Sequence, residues 1–133
     1  MAPDGDNKNI WGFINQAEDL KEGIQSILDR SQRENIDIII EGIHLIPGIF
    51  DLYCSRECLH VVINVSSFDQ HMSQFQSQGD IRGKYKIDHI KRARAFQDYL
   101  VENAEKNGAI IVENQKVDVA VNEIIRSLDR LNE

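Results

Sequence analysis

Two groups of residues in this 133-residue chain have types and spacings that could do chemistry. The first is IDIIIEGIHLIPG, Ile36 to Gly48, in which the carboxylate of Glu41 and the imidazole of His44 follow an apolar, β-branched run. Such a run reads as a strand buried on both faces of a parallel sheet. The carboxyl end of a strand of that kind is where open α/β sheets gather their ligands. The second is RGKYKIDHIKRAR, Arg82 to Arg94, which holds six of the fifteen Lys and Arg residues against one Asp. It is a basic island on a chain of net charge −7.

One member of the island is out of place. Spacing residues about 100° apart from Lys84 onward gathers Ile87, Ile90, Val101 and Ala104 on one side and Asp88, Lys91, Arg92 and Asp98 on the other. Arg94 falls among the apolar residues. An inward guanidinium snorkels, pairs with a structural carboxylate, or awaits an anion that its planar fork can bind bidentately. Arg82 and Lys84, beside Gly79 and Gly83, would sit on a loop able to close over a phosphate. Positioned cations are what phosphoryl transfer requires.

The elements that must position these groups are read from hydrophobic period. Ile14, Ala17, Leu20, Ile24, Ile27 and Leu28 predict a helix over about 16–34. IDIII, LHVVINV (Leu59 to Val65) and AIIVE (Ala109 to Glu113) read as strands, and Ser66 or Ser67 can cap the segment after the second. SQFQSQGDIRGK is expected to be a mobile loop, and about 85–107 a helix ending at Gly108. Asp118 is expected to cap a last amphipathic helix carrying Val121, Ile124, Ile125, Leu128 and Leu131. Alternating helices and strands predict an α/β fold with a three-stranded parallel sheet flanked by helices. Residues 1–9 would be a flexible N-terminus, 10–133 one domain and about 76–94 a lid-like region. Tyr85 and Phe96 are read as core.

Bulk properties exclude several classes. A charge of −7 and a basic island without interleaved aromatics argue against nucleic-acid binding. No apolar run approaches a membrane span, and the start lacks a leader pattern, so a cytoplasmic protein is expected. Cys54, Cys58 and His60 fall short of a four-ligand zinc set, and free thiols with no structural metal are expected. GDIRGKY fails the Walker A spacing by one residue and ends in Tyr. No phosphate-binding loop stands in the 35 residues before IDIII.

GFINQ (Gly12 to Gln16), IIIEGIHLIPG, RGKY, RAFQDYLVENA (Arg94 to Ala104) and IIVEN (Ile110 to Asn114) occur in an order and at spacings similar to those of 2-phosphoglycerate kinases. The resemblance spans about residues 10–131 and covers what looks like the C-terminal portion of such a P-loop kinase, without its first strand and Walker A segment. It implies ATP- and Mg2+-dependent phosphorylation of 2-phosphoglycerate to 2,3-bisphosphoglycerate by the whole enzyme, and little activity by this portion alone. It implies that Glu41 orients Mg2+ or the attacking hydroxyl and that Arg94 is catalytic. His44, His71, Arg82 and Lys84 would face substrate, with Arg82 also at the nucleotide. His71 and Phe75 match an H-x-x-x-F pattern, but Gln76 stands where an arginine is expected. A non-catalytic phosphometabolite- or partner-binding module is the alternative. An absent central strand would leave the strands on either side to pair directly, or with a second copy or a separate P-loop chain.

Overall fold

The computed structural model describes residues 6–50, 58–79 and 87–133. Helix α1 spans Asp6–Glu34, so it begins ten residues before the predicted start and takes in residues 6–9 of the expected flexible N-terminus. The early turns are held by Phe13 and Ala17, which are buried with Ile46 in a cluster joined by Ile14, Ile49, Phe96, Tyr99 and Leu100. The Phe13 and Phe96 rings stack at 4.9 Å, and Tyr99 meets Phe13 edge-on at 6.4 Å.

Strands β1 (Val61–Asn64) and β2 (Ile110–Glu113) pair in parallel, with Val61 opposite Ile110 and Asn64 opposite Glu113. Between them run α2 (Phe68–Gly79) and α3 (Ile87–Asn107), and α4 (Val117–Leu131) closes the chain. Ile90 and Ala104 are buried, as the α3 wheel requires, and Val62 and Val112 are the buried residues of the sheet. Phe96 packs on the core as expected, whereas Tyr85 lies outside the described residues.

The α/β class and the parallel sheet agree with expectation, but four details differ. The segment IDIII is free of helix, turn and bend yet joins no strand: among the described residues the sheet has two strands. Composition alone cannot make a strand without a neighbour to bond. Ile39 is 98% exposed. Nor do the two apolar segments 36–40 and 61–64 pair directly with each other. Of the expected loop SQFQSQGDIRGK, the part SQFQSQG forms the last turns of α2, whose start Ser67 caps by accepting from the Gln70 N–H at 3.2 Å, and the rest lies outside the described residues. Finally, α4 is capped at Lys116 without a side-chain bond, and Asp118 lies in its first turn, where its charge suits the helix dipole.

Two helices end alike. After α1 the left-handed Asn35 lets the Ile36 N–H reach Ser31 O at 2.9 Å, and after α3 the left-handed Gly108 lets the Ala109 N–H reach Ala104 O at 3.1 Å. Gly48 is also left-handed, with φ of 96°. A Cβ there would stand 2.6 Å from the Asn107 amide, which is itself held by Asn103 O at 2.8 Å. Gly48→Ala is therefore expected to cost ~1–3 kcal/mol, read as a lowered urea midpoint.

Candidate functional site

Parallel pairing gives the sheet two distinct edges. At the carboxyl edge, β1 runs into Val65, Ser66 and Ser67, and three side chains hold that turn. Arg94, pointing inward from α3, donates through Nη1 to Val65 O at 3.0 Å and through Nη2 to Ser66 O at 2.9 Å. Gln97, one turn later on the same face, accepts from the Val65 N–H at 2.8 Å and donates to Val65 O at 3.1 Å. From β2, Glu113 accepts from the Ser66 N–H and from the Asn64 amide at 2.9 Å.

The Arg94 guanidinium also lies 3.3 Å from His71 Nδ1 and 5.7 Å from the Phe68 ring centre. Because arginine has no acceptor, His71 Nδ1 must accept, which assigns its proton to Nε2. Among the described residues no carboxylate pairs with Arg94. Its charge is met by carbonyl dipoles, an imidazole and a ring face, so an anion would find a positioned fork there. His71 also packs on Phe75 at 5.1 Å, one turn along α2.

Partial burial and, next, the adjacent Arg94 charge push the His71 pKa below 6.5. Burial lowers that of His60 too, against the opposing bond to Leu45. For Glu113, burial raises the pKa, but the Ser66 and Asn64 donors outweigh it and hold the carboxyl below 4.5. The sign for the histidines is fixed by linkage: a depressed folded pKa means that the unfolded chain binds the proton more readily. Their contribution is complete above pH 6.5 and falls away as pH drops through the lowered values. The urea midpoint should therefore fall between pH 7.5 and 5.5, and fall less in His60→Gln and in His71→Gln.

The other expected site residues lie elsewhere. His44 Nε2 stands 3.2 Å from Gln16 Oε1, and its ring lies 5.3 Å from that of Phe13. Leu45 O accepts from His60 Nε2 at 2.9 Å, and Pro47 O accepts from Asn107 Nδ2 at 3.4 Å. His60 precedes β1 and Asn107 precedes β2, so the loop 44–48 lies at the amino edge of the sheet. A four-residue strand, rising roughly 13 Å, separates that edge from Arg94. Glu41 is exposed, with no contact to Arg94 or His71.

The structure thus unites Arg94 with His71 and does not bring Glu41 or His44 to them. Burial of Ile46 is the physical reason for the His44 placement, since it ties the loop to Phe13 and Ala17 of α1. Arg82, Lys84 and Cys54 lie outside the described residues. Cys58 is a free thiol whose pKa burial raises. Among the described residues no group of three or more His, Cys, Asp or Glu side chains gathers around Glu41 to hold a metal ion. Gln97 and Glu113 escaped the sequence reading. The signal for Gln97 was its position three residues after Arg94, on the same helix face.

Sequence comparison places nearly the whole chain beside one kind of enzyme. It is 33% identical over 132 residues to a 2-phosphoglycerate kinase of Thermococcus kodakarensis, a match covering 96% of this chain and 44% of that protein. It is 29% identical over 130 residues to the 2-phosphoglycerate kinase of Methanocaldococcus jannaschii, covering 94% and 42%. It is 30% identical over 128 residues to that of Methanothermobacter thermautotrophicus, covering 91% and 42%. The resemblance carried by the sequence motifs is borne out over nearly the whole chain. The chain spans less than half the length of these relatives. No family model matches it. No solved structure matches it. Among the described residues no helix is long and apolar enough to cross a membrane.

Proposed function

We propose that this chain is the substrate-side portion of a 2-phosphoglycerate kinase, which binds a phosphorylated three-carbon acid at the carboxyl edge of its sheet. The observation that carries the proposal is Arg94, a cation held by two carbonyls and an imidazole without a carboxylate partner among the described residues. A guanidinium so fixed binds a phosphate with little further loss of side-chain freedom. His71, with Nδ1 turned to Arg94, has its Nε2–H to offer a second oxygen. Arg82 and Lys84 are proposed to add their charges from the segment before α3.

Phosphoryl transfer from ATP with Mg2+ needs a nucleotide-binding part beyond the residues described, with Glu41 and His44 carried to the substrate when that part docks. Alone, the chain binds and does not turn over. The placement of the His44 loop at the amino edge of the sheet, away from Arg94, favours this binding-module reading over autonomous catalysis.

Calorimetry with 2-phosphoglycerate tests it: saturable heat with a dissociation constant in the micromolar to millimolar range is expected, with no ATP consumption. Absence of heat at millimolar ligand would sink the proposal. Asp69, in the first turn of α2, repels an anion beside Ser66 and His71. Asp69→Asn should therefore tighten binding about two- to fivefold at low salt, as removal of a nearby like charge does.

A further inference from the structure

We infer that two copies of this chain associate by exchanging the segment 36–40, which is free of helix, turn and bend and adds as a strand to the free edge of β1 in the other copy. This association is independent of ligand binding. In the pairing of β1 with β2, His60 O accepts from the Ile110 N–H at 3.0 Å and Asn64 O accepts from the Asn114 N–H at 2.8 Å. Residues 60, 62 and 64 thus face β2, and by alternation Val61, Ile63 and Val65 turn their backbone groups to the outer edge.

Among the described residues that edge is sealed at one point. The Val65 N–H and carbonyl are taken by Gln97 and Arg94, which act as a side-chain substitute for a neighbouring strand. Among the described residues Val61 and Ile63 have no such partner, and Ile63 is 46% exposed. The open stretch is therefore short and has a defined end.

The segment 36–40 has the complementary need. Ile36 is tied back to α1 through Ser31, whose hydroxyl donates to Ile36 O and whose carbonyl accepts the Ile36 N–H. Beyond it, the backbone of Asp37 to Ile40 is unpaired among the described residues. A β-branched, unpaired segment is a template for strand addition. Since donor strand and acceptor edge belong to the same chain, a two-fold axis satisfies both at once and closes the assembly.

Area and charge agree with that occupant. A stable interface buries about 800 Å2 per partner, somewhat over half of it apolar. Leu20, Ile27, Ile36, Ile38, Ile39, Ile43 and Ile63, all 40% exposed or more, supply apolar area on that order. Residues 18–41 hold seven acidic and three basic side chains. The exposed Lys91 and Arg92 of α3, just before the Arg94 that seals the acceptor edge, are the opposite charges.

Size-exclusion chromatography with light scattering on the full chain tests this. The expected mass is twice 15.3 kDa. Ile39→Lys should give a folded monomer, because Ile39 is 98% exposed within one copy, and Ile39→Val should remain dimeric. In a Cys54→Ser, Cys58→Ser background, Ile39→Cys with Ile63→Cys should form a covalent dimer on oxidation. A monomer up to several hundred micromolar, a dimer unaffected by Ile39→Lys, an open ladder of oligomers or a disulfide within one copy would each overturn the inference.

Discussion

Arg94→Ala is expected to abolish measurable binding of 2-phosphoglycerate, a loss of at least about tenfold, as for removal of a charged hydrogen-bonding partner. The same substitution frees Val65 O from one of its two side-chain donors and leaves Ser66 O without its guanidinium partner. A modest stability loss, on the order of 1 kcal/mol, should accompany it because Gln97 still spans Val65. Arg94→Lys separates the two roles. It keeps the charge but not the planar fork, so binding should fall to an intermediate level. Calorimetry and urea unfolding on the same three proteins give both readouts. Equal affinity in wild type and Arg94→Ala would place any anion site elsewhere.

Phe13→Ala should be the most destabilising of the simple core substitutions. Phe13 is 3% exposed and sits between His44, Phe96 and Tyr99, so it joins α1, the 44–48 loop and α3. Truncating a buried Phe costs ~3–5 kcal/mol through lost transfer energy and a residual cavity. That is a large share of the ~5–15 kcal/mol that holds a typical domain together. Far-ultraviolet dichroism during urea titration should show a midpoint shifted far down, or a chain already partly unfolded in buffer. A loss below ~1 kcal/mol would mean that the α1–α3 contact is not central to the fold. Phe13→Leu, which keeps most of the volume, should recover much of the stability.

Elements with a partner in the chain were legible in advance. VVIN and IIVE are apolar, and each finds the other. Gly108 ends α3 because its left-handed backbone is easiest for glycine. Arg94 was legible for a different reason: its angular position set a charge among apolar residues, and it does turn inward to the end of β1.

The features that escaped depend on tertiary context. IDIII has the composition of a buried strand, but a strand is a property of a pair, and Asp37 to Ile40 find no partner within the described chain. The α2 sequence is rich in Ser and Gln and has a weak apolar period, so Ser67, the contacts of Phe68 and His71 with Arg94, and those of Gln70 and Gln74 with the residues after β2 fix it as a helix. Glu41 and His44 share a motif with one another, yet the contacts of Leu45 and Pro47 hold the 44–48 loop, His44 included, at the opposite edge of the sheet from Arg94. Spacing in sequence could not reveal that displacement. Glu113 was invisible because an edge-placed polar residue breaks no pattern, and Gln97 offered only its place on the Arg94 face; the backbone groups they satisfy reveal them.

The most direct measurement is a two-dimensional amide and imidazole NMR titration of the 133-residue chain with 2-phosphoglycerate. Binding at the carboxyl edge should move the Val65, Ser66 and Ser67 amides and the His71 ring saturably, with a constant matching calorimetry, and leave His44 and His60 still. Shifts confined to the His44 and His60 edge, or none at millimolar ligand, would contradict a substrate site built around Arg94.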